Sequence, residues 1–401
     1  MINIGVYLAM EPYMGGSFQY AQSILAALDA LDKSTYKVTV FFVQDLWESY
    51  LVRFDFQRQK IHPVPRWRTL PARILRRLCL LWRIDLLRIR KIYAIVNPVS
   101  RQIDKQQLDF LVLAGQNGLA VEIETPCISI MHDLMHRYEA FPEAASSQEA
   151  QSREILYRNM CAASRMVFVD SDLGRQQAIE SYGEQYADKF VVMPFTPPMY
   201  LFESNDINED IQLPEKFFFY PAQFWKHKNH KNLLLAMSEL RDCGVRVQMI
   251  FVGSAKNGYD EVLQIIQEHH LEEQVEILGY VSDNVMRTLY QKARAMIMPS
   301  FFGPTNIPPL EGMAMGCPVA VSRVYAMPWQ VGDAGLTFNP HNVHEIADVL
   351  KRLWEDDGLC RLLIKKGKDR ARYFSQERFN ERFCEALEKI RNNRRRKMRN
   401  G

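Results

Sequence analysis

A cluster of cations lies in the second half of the chain, between an apolar run and a helical pattern. The segment "KFFFYPAQFWKHKNHKNLLLAM" places Lys226, Lys228 and Lys231, with His227 and His230, directly after a predicted strand. Cations at a strand end can neutralise a pyrophosphate leaving group without a metal ion; a solvated basic turn is the alternative. The H-x-x-H spacing does not predict a zinc site, because the lysines would repel a cation and no carboxylate or cysteine ligand is adjacent.

A second feature is the short predicted helix in "PSFFGPTNIPPLEGMAMGCPVAVS", residues 299–322. Pro308 or Pro309 suits the first helical turn, where a missing N–H costs nothing, and Gly316 suits the left-handed position that ends a helix. The start of such a helix presents backbone N–H groups and favours a phosphate. Glu311 is predicted in the first turn, where it either caps the helix or holds sugar or ribose hydroxyls.

The first half carries a glycine pair and a histidine at predicted strand ends. Gly15 and Gly16 separate the first strand from the first helix, and they either let the backbone approach a phosphate or form a plain turn. His132, followed by Asp133, ends the run "CISIM". A histidine there can hydrogen-bond a substrate or exchange a proton near neutral pH, and a structural role is the alternative.

The pair Asp170 and Asp172 has a D-x-D spacing that can hold a divalent metal ion. A helical pattern follows, and Ser171 or Asp172 before it is an ordinary helix N-cap. We favour the cap.

The elements that must position these residues alternate between strand and helix patterns. Apolar runs such as "INIGVYLA", "YKVTVFFV", "AMIMPS" and "AGLTFN" alternate with helical stretches, which predicts parallel sheets of an α/β fold whose ligands bind at the strand ends. A proline-rich polar stretch predicts a linker. We expect a first domain over residues 1–200, a linker over 201–214, a second domain over 215–375, and over 376–401 a C-terminal helix that returns to the first domain, with a basic tail.

Composition narrows the functional class. The chain has 401 residues, 24% of them charged, and a formal net charge of +3, so the charge balance implies no polyanion partner. The seven cysteines are scattered without a C-x-x-C pair, which is typical of a reduced, cytosolic protein. The N-terminus reads as a buried strand rather than a signal peptide, and no apolar run reaches the length of a membrane span.

Residues 70–92, "LPARILRRLCLLWRIDLLRIRKI", are predicted to form one amphipathic helix. At about 100° per residue the arginines and Lys91 fall on one side and most apolar residues on the other. Such a helix can lie on an anionic membrane surface. Alternatively, it packs its apolar face into the core and leaves the arginines solvated.

The segment "GYVSDNVMRTLYQKARAMIMPSFFGPTNIPPLEGMAMGCPVAVS", with "YPAQFWKHKNH" before it and "MHDLMHRYEAFPE" in the first half, resembles the retaining GT-B glycosyltransferases of glycosyltransferase family 4. The resemblance covers about residues 217–340; in the first half it extends to the glycine pair, the His-Asp strand end and "VFVDSD". It implies the GT-B fold, in which two Rossmann-like domains enclose a cleft. The N-terminal domain would bind the acceptor, and the C-terminal domain a nucleotide-sugar without a metal.

The resemblance also implies roles for individual residues. His132 would lie near the transferred sugar, Lys228 would contact the diphosphate, and Glu311, as the second acid of the E-x7-E motif, would hold the ribose. The implied donor-binding residues are Gly15, Gly16, Gln223, Lys228, Tyr280, Val281, Thr305, Asn306, Ile307 and Glu311.

Two positions depart from the family pattern. Gly303 stands at the first acid of the motif, and Gln223 stands where a "G-R-L" arginine is usual. Lys226 could compensate for that arginine, and backbone N–H groups with Thr305 or Asn306 could contact the sugar.

The implied function is a metal-independent hexosyltransferase that works with retention on a growing polysaccharide or lipid-linked glycan, as in O-antigen, capsule or exopolysaccharide synthesis. We expect GDP-mannose, as a first guess, or a UDP-sugar as donor, no cofactor, no nucleic-acid partner, and a cytoplasmic location at the inner face of the membrane, bound through residues 70–92. Because Gly303 and Gln223 replace charged residues, two alternatives stay open. One is a non-catalytic nucleotide-sugar-binding partner or scaffold of a glycan-synthesis complex, and the other is a GT-B-fold sugar-nucleotide epimerase.

Overall fold

Two parallel β-sheets arise from the apolar runs that the sequence alternation predicts. The computed structural model describes residues 1–11, 15–61, 65–82, 86–141, 147–203 and 211–399. The chain divides into two units: unit 1 comprises Met1–His136, Ser147–Pro194 and Phe379–Gly401, and unit 2 comprises Arg137–Ser146 and Phe195–Arg378. The α/β class is confirmed.

Unit 1 contains a sheet with strand order β3-β2-β1-β4-β5-β6-β7, in which the paired strands are parallel. The strands are β1 (Ile2–Leu8), β2 (Tyr36–Phe42), β3 (Gln57–Lys60), β4 (Phe110–Leu113), β5 (Cys127–Met131), β6 (Met166–Val169) and β7 (Phe190–Val192). Strands β4, β5 and β6 are buried along their whole length, because helices cover both faces of a parallel sheet.

The helices of unit 1 connect these strands and include the C-terminal helix. They are α1 (Gly15–Asp29), α2 (Leu46–Leu51), α3 (Arg66–Leu81), α4 (Arg90–Val96), α5 (Pro98–Asp104), α6 (Met135–Tyr138), α7 (Ser147–Ala163) and α8 (Asp172–Tyr182), with 3₁₀ turns at Leu86–Ile89, Leu119–Val121 and Glu184–Lys189. The last two residues of α6 belong to unit 2. The last helix of the chain spans Gln376–Arg399, and from Phe379 onward it belongs to unit 1. There Phe379 and Phe383 pack against Tyr20 and Phe168.

Unit 2 repeats the pattern with strand order β10-β9-β8-β11-β12-β13, again with parallel pairing. The strands are β8 (Phe218–Pro221), β9 (Met249–Val252), β10 (Val275–Ile277), β11 (Ala295–Met298), β12 (Val319–Ser322) and β13 (Gly335–Phe338). This order, with its reversal between the first and fourth strands, is that of dinucleotide-binding α/β sheets.

The helices of unit 2 alternate with its strands. They are α9 (His230–Asp242), α10 (Tyr259–Glu268), α11 (Asp283–Lys292), α12 (Ile307–Met315), α13 (Met327–Val331), α14 (Val343–Glu355) and α15 (Asp357–Tyr373), with 3₁₀ turns at Met199–Leu201, Lys226–Lys228 and Gly332–Ala334. We number the C-terminal helix Gln376–Arg399 as α16.

Strand β3 was not predicted from the sequence. Its residues, Gln57–Lys60, are polar and half-buried or exposed, and it forms the outer edge of the first sheet. Charged and polar side chains on an edge strand discourage pairing with a second chain, so such a strand lacks the apolar pattern that predicts the inner strands.

The expected linker contributes to the core of unit 2. The boundary between the units falls at Pro194 and Phe195. Leu201 is buried in the core of unit 2, and Tyr200, Ile211 and Leu213 pack against it.

The prediction of a single amphipathic helix over residues 70–92 is wrong about where the helix begins and ends. Helix α3 ends at Leu81, Trp82 lies in a turn, and α4 begins at Arg90 after a 3₁₀ turn; residues 83–85 lie outside the described part of the chain. The helical wheel therefore holds only as far as Leu81. Within the described residues, no helix is long and apolar enough to cross a membrane.

Candidate functional site

The loop after β8 carries Lys228, and the hydrogen bonds of the next residue, Asn229, fix this loop. Asn229 adopts the left-handed conformation at φ 59°, and its side chain accepts a hydrogen bond from the backbone N–H of Asn232 at the start of α9. Its Nδ2 donates to the carbonyl oxygens of Pro299 and Pro340, each at 2.9 Å. Because asparagine tolerates this conformation, one buried side chain ties the Lys228 loop to the ends of two other strands.

Lys228 meets the loop that precedes α12. Its Nζ donates to Oδ1 of Asn306 at 3.4 Å. The two residues are 78 positions apart in sequence and come together because β8 and β11 are neighbours in the sheet. The carboxyl edge of this sheet therefore carries a cation next to a helix start, an arrangement that favours an anion.

The start of α12 offers fewer backbone donors than we predicted. The first four N–H groups of a helix lack intrahelical partners, here those of Asn306, Ile307, Pro308 and Pro309. Both prolines lie in the first turn and have no N–H, and the N–H of Asn306 donates to Oε1 of Gln330 at 3.1 Å. Ile307 is left to present its N–H to a ligand.

Glu311 lies in the second turn of α12, not in the first turn as predicted. The carboxylate is buried: Tyr200 donates its hydroxyl to Oε1 at 2.9 Å and Tyr290 donates to Oε2 at 2.5 Å. The capping interpretation is wrong, because these side chains, not the helix start, contact the carboxylate. Each carboxylate oxygen keeps a further lone pair that can accept a ligand hydroxyl.

Burial raises the pKa of Glu311 above the ordinary range for a carboxyl group, and the nearby Asp283 raises it further. The hydrogen bonds from Tyr290 and Tyr200 oppose this effect because they stabilise the ionised form. The two tyrosines therefore offset part of the effect of burial on the pKa of Glu311.

Helix α12 ends as predicted. Gly316 adopts the left-handed conformation at φ 76°, and its N–H bonds back to the carbonyl oxygens of Gly312 and Met313. Glycine allows this conformation without strain, so the chain can turn directly into β12.

The other predicted donor residues of unit 2 lie at the same edge of the sheet. Gln223 is exposed, and its Oε1 accepts from Nε1 of Trp225 at 2.9 Å. Tyr280 follows β10 and is 79% exposed, whereas Val281 packs against the core. Thr305 is buried beside Asn306.

The candidate residues of unit 1 gather around α1. Gly15 opens the helix at φ 60°, Gly16 lies in its first turn, and Tyr20 lies one turn later. The ring of Tyr20 packs edge-on against His132 with centroids 5.1 Å apart, and its hydroxyl donates to the Met193 carbonyl at 3.2 Å. The two glycines therefore lie in α1 itself rather than between the strand and the helix as predicted, and the start of α1 and His132 lie at one edge of the first sheet.

His132 is neutral near neutral pH. Burial lowers its pKa to about 4, so its ring has one N–H donor and one nitrogen acceptor and carries no charge. Beside it, both carboxylate oxygens of Asp133 accept a hydrogen bond from Nη2 of Arg153 at 2.9 Å. The Oδ1 atom also accepts from the N–H of Met135 at 2.9 Å. Asp133 therefore orders the turn after β5.

His230 has a structural role. It is buried, with its ring stacked on Phe224 at 4.5 Å and close to those of Tyr220 and Phe251. Burial lowers its pKa to about 3. In the part of the chain that the structure describes, no three His, Cys, Asp or Glu side chains form a group that could hold a metal ion.

The D-x-D spacing belongs to a helix cap, as we favoured. Ser171 caps α8, accepting the N–H of Gly174 at 3.0 Å. Asp170 is buried and accepts from the hydroxyl of Ser171 at 3.1 Å.

Sequence reasoning missed three residues of the candidate site: Tyr200, Tyr290 and Gln330. Tyr200 is the last residue of the expected first domain, Tyr290 lies within α11, and Gln330 lies within the five-residue α13. A tyrosine inside a helical pattern reads as ordinary core, and an isolated glutamine carries no spacing signal. Each contact to α12 joins residues at least 21 positions apart in the chain.

Comparisons with known proteins point to glycosyltransferases. Residues 202–370, which contain Lys228, Asn306 and Glu311, match the family model described as glycosyl transferases group 1. O-antigen chain mannosyltransferase B of Escherichia coli is 29% identical over 227 residues, 54% of this chain and 58% of that protein. D-inositol 3-phosphate glycosyltransferase of Corynebacterium aurimucosum is 24% identical over 66% of each chain. The match to the serotype-specific mannosyltransferase WbdA of Escherichia coli spans 25% of that protein's length, at 23% identity over 55% of this chain.

Solved structures match nearly the whole chain. The crystal structure of Anabaena HepE in complex with UDP and glucose has a TM-score of 0.71 at 16% identity, covering 97% of this chain and 100% of that one. Sucrose-phosphate synthase from Thermosynechococcus elongatus also has a TM-score of 0.71, at 17% identity, covering 98% and 100%. The chain therefore has the GT-B fold, and its residues 202–370 are similar to the glycosyl transferases group 1 family.

Proposed function

We propose that this chain transfers a hexose from a nucleotide-sugar to a polysaccharide or lipid-linked glycan, with retention of the anomeric configuration. The observation that carries the proposal is the hydrogen bond between Lys228 Nζ and Asn306 Oδ1 at 3.4 Å, at the start of α12 and inside the matched region. It joins a cation to the positive end of a helix, where a diphosphate would bind.

In the proposed reaction Lys228 stabilises the leaving group. As the bond between the sugar and the diphosphate breaks, negative charge grows on the leaving oxygen, and a preorganised cation lowers the barrier to that step. The acceptor hydroxyl attacks the same face of the sugar, and its proton passes to the departing phosphate. The reaction as proposed uses no metal ion and no carboxylate nucleophile.

The proposed binding roles follow the resemblance and fit the local geometry. Glu311 accepts ribose hydroxyls on the lone pairs that its tyrosine partners leave available. Ile307 and Asn306 contact the phosphate and the sugar from the start of α12. His132, neutral near pH 7, gives a hydrogen bond to the transferred sugar, and Gly15 and Gly16 at the start of α1 let the backbone approach the phosphates.

Mannose from GDP-mannose is the first candidate donor, because several relatives are named mannosyltransferases. A UDP-sugar is the second, since the HepE structures hold UDP with glucose or UDP-glucose. For the acceptor we propose a growing O-antigen, capsule or exopolysaccharide, following the O-antigen relatives.

A donor panel tests the proposal. Purified protein is incubated with labelled GDP-mannose and UDP-sugars, with and without membrane glycolipid, and with EDTA in a parallel set. We expect nucleoside diphosphate release that depends on glycolipid, label in the lipid extract, no loss with EDTA, and an anomeric configuration that NMR shows to be retained. Binding without turnover identifies the non-catalytic partner, and conversion of the donor without an acceptor identifies the epimerase.

Site variants link activity to the geometry. Lys228→Ala and Glu311→Ala are expected to abolish transfer while the protein remains folded by circular dichroism. Lys351→Ala, an exposed lysine on α14, is the matched control and should keep full activity. Full activity in Lys228→Ala would remove the assignment of the leaving-group site.

We also propose that the enzyme works in the cytoplasm, peripherally at the inner face of the membrane, and that α3 contacts that surface. Trp67, Leu70 and Ile74 recur three and seven residues apart on one face of α3 and are 68%, 49% and 50% exposed. Large apolar side chains exposed together are unusual on a soluble surface. On the opposite face Ala72 and Cys79 are buried.

Positively charged side chains around the apolar stripe formed by Trp67, Leu70 and Ile74 favour an anionic surface as the partner. Arg73 and Arg77 are exposed beside the stripe, and Arg68 lies over the Trp67 ring at 5.0 Å. Trp82, just beyond the helix, is 69% exposed. An apolar stripe flanked by arginines suits the boundary between lipid head groups and acyl chains.

Vesicle sedimentation tests the membrane proposal separately from catalysis. We expect binding to vesicles that contain phosphatidylglycerol, release by salt, and little binding to phosphatidylcholine alone. Leu70→Ser with Ile74→Ser should weaken binding, whereas Leu362→Ser, a comparably exposed leucine in unit 2, should not. Absence of binding at low ionic strength would overturn the proposal.

A further inference from the structure

The N-cap residue of α12 does not cap its helix. Asn306 has the extended backbone of an N-cap, yet its side chain makes no capping hydrogen bond. An N-cap asparagine normally accepts the N–H of the second or third helical residue. Those residues are Pro308 and Pro309, which have no N–H. The prolines therefore release the carboxamide of Asn306 for another contact.

The released carboxamide occupies the space next to Gly303. A β-carbon added at Gly303 would lie 2.3 Å from Nδ2 and 2.7 Å from Oδ1 of Asn306, so a larger side chain there would have to displace the carboxamide. The same Oδ1 accepts from Lys228 Nζ at 3.4 Å, and Asn306 is 9% exposed. A neutral amide thus lies beside position 303, where the resemblance implies an acid.

A buried glutamine clamps the backbone of Asn306 on both sides. Gln330 accepts the N–H of Asn306 on Oε1 at 3.1 Å and donates from Nε2 to its carbonyl oxygen at 2.6 Å. Gln330 is fully buried. A second tie holds the same loop, because the N–H of Ala326 donates to the Pro304 carbonyl at 2.9 Å. The loop from Gly303 to Asn306 is therefore fixed to α13.

We infer that Gln330 is a positioning residue: it holds Asn306 so that a neutral carboxamide, rather than a carboxylate, orients Lys228 and meets the sugar of the donor. This inference rests on the proposed function. Its physical consequence is that Asn306 adds no negative charge beside Lys228, since an amide oxygen orients an ammonium group without cancelling its charge. The amide can also donate a hydrogen bond to a sugar hydroxyl, which a carboxylate cannot.

A double-mutant cycle tests the inference. Gln330→Met removes both hydrogen bonds at similar volume, and we expect it to raise the KM for the donor about tenfold with a smaller change in kcat. In an Asn306→Ala background the same substitution should change KM by less than about twofold, because the side chain through which Gln330 acts is already absent. A purely structural glutamine would have equal effects in both backgrounds, and that result overturns the inference.

Further variants keep the test readable if Gln330→Met folds poorly. Gln330→Glu retains the acceptor for the Asn306 N–H but loses the donor, so its effect on KM should be smaller and in the same direction. Gln274→Met, a buried glutamine in the same unit and away from this loop, is the matched control: it should affect stability but not KM. An unchanged KM in both Gln330 variants would overturn the inference.

A binding readout separates failure of this inference from failure of the proposed function. Calorimetry with GDP and UDP as probes gives a Kd without any acceptor. Asn306→Asp should weaken nucleoside diphosphate binding about tenfold or more, because the new carboxylate pairs with Lys228. If wild-type protein transfers no sugar, the proposed function fails, and the same cycle measured by Kd still decides the role of Gln330.

Discussion

Tyr290 donates its hydroxyl to Oε2 of Glu311 at 2.5 Å, and both side chains are buried. Tyr200 completes the arrangement on Oε1 at 2.9 Å. The buried Glu311 carboxylate in unit 2 therefore accepts hydrogen bonds from two parts of the chain: Tyr290 lies in α11, and Tyr200 lies in the segment that follows the boundary between the units.

Tyr290→Phe should destabilise the protein and shift its pH dependence. Loss of a hydrogen bond to a buried charge costs about 1.5–3 kcal/mol of unfolding free energy, which urea unfolding would measure. The pKa of Glu311, already raised by burial, rises further because its ionised form loses a donor. Nucleotide affinity should therefore begin to fall at a higher pH on acidification than in the wild type.

Tyr259→Phe is the control for this change, because Tyr259 is a half-buried tyrosine away from Glu311. It should alter neither unfolding nor the pH profile. Equal stability of Tyr290→Phe and wild-type protein would contradict the proposed support of the carboxylate.

Gly303→Ala should destabilise unit 2 more than Gly244→Ala. Both glycines have positive φ, 137° and 84°, which is strained for other residues by about 1–3 kcal/mol. Only at Gly303 does the new methyl group also collide with the Asn306 carboxamide, since no atom lies within 4 Å of a β-carbon at Gly244. Thermal unfolding compares the two, and a second Asn306→Ala substitution should recover part of the Gly303→Ala loss.

Asn229 should control both stability and the Lys228 loop. Asn229→Ala loses the helix cap and the bonds to Pro299 and Pro340, and we expect a loss of about 2–4 kcal/mol with a clear drop in kcat/KM. Asn229→Gly keeps the left-handed backbone but not the bonds. If the glycine variant behaves like the wild type in urea unfolding and in turnover, the side-chain bonds are unimportant.

Acid should weaken both units through buried histidines. Burial lowers the pKa of His132 to about 4 and that of His230 to about 3, below the ordinary value of about 6.5. Between these values and about pH 6.5 the unfolded chain therefore binds more protons than the folded chain. The contribution of the histidines to the unfolding free energy is fully present above about pH 6.5, and it is lost as the pH falls toward the lowered pKa values. The loss is on the order of a few kcal/mol per histidine, and His230→Leu should flatten this slope in unfolding measured across pH.

His344 provides a contrast of opposite sign. Its contact with Glu239 on the surface raises its pKa, so any stabilisation is present at acid pH and is lost as pH rises through the raised pKa. His344→Gln should therefore leave the acid slope from His230 unchanged. A flattened acid slope in His344→Gln would contradict this assignment.

The sequence predicts most of the fold because its inner strands are continuous apolar runs. From "INIGVYLA" to "AGLTFN" the predicted runs became strands β1 and β13 and the inner strands between them. The prediction misses β3, because this edge strand is polar and lacks an apolar pattern. It also misses the end of α3 at Leu81, within the pattern that predicted one helix over residues 70–92. Periodicity reports the preferred environment of side chains but not where a helix stops.

For the candidate site, the amino-acid sequence by itself determined the residue types and their place at strand ends: Lys228 after β8, the proline-rich start of α12, and a glycine at position 303. Only the tertiary structure decided what those residues contact. Because Pro308 and Pro309 have no N–H, the side chain of Asn306 makes no capping hydrogen bond. Gln330 holds Asn306 beside Lys228, and two tyrosines donate to Glu311. These contacts join residues far apart in the chain, and hydrogen bonding depends on distance and direction in space, which no local spacing encodes.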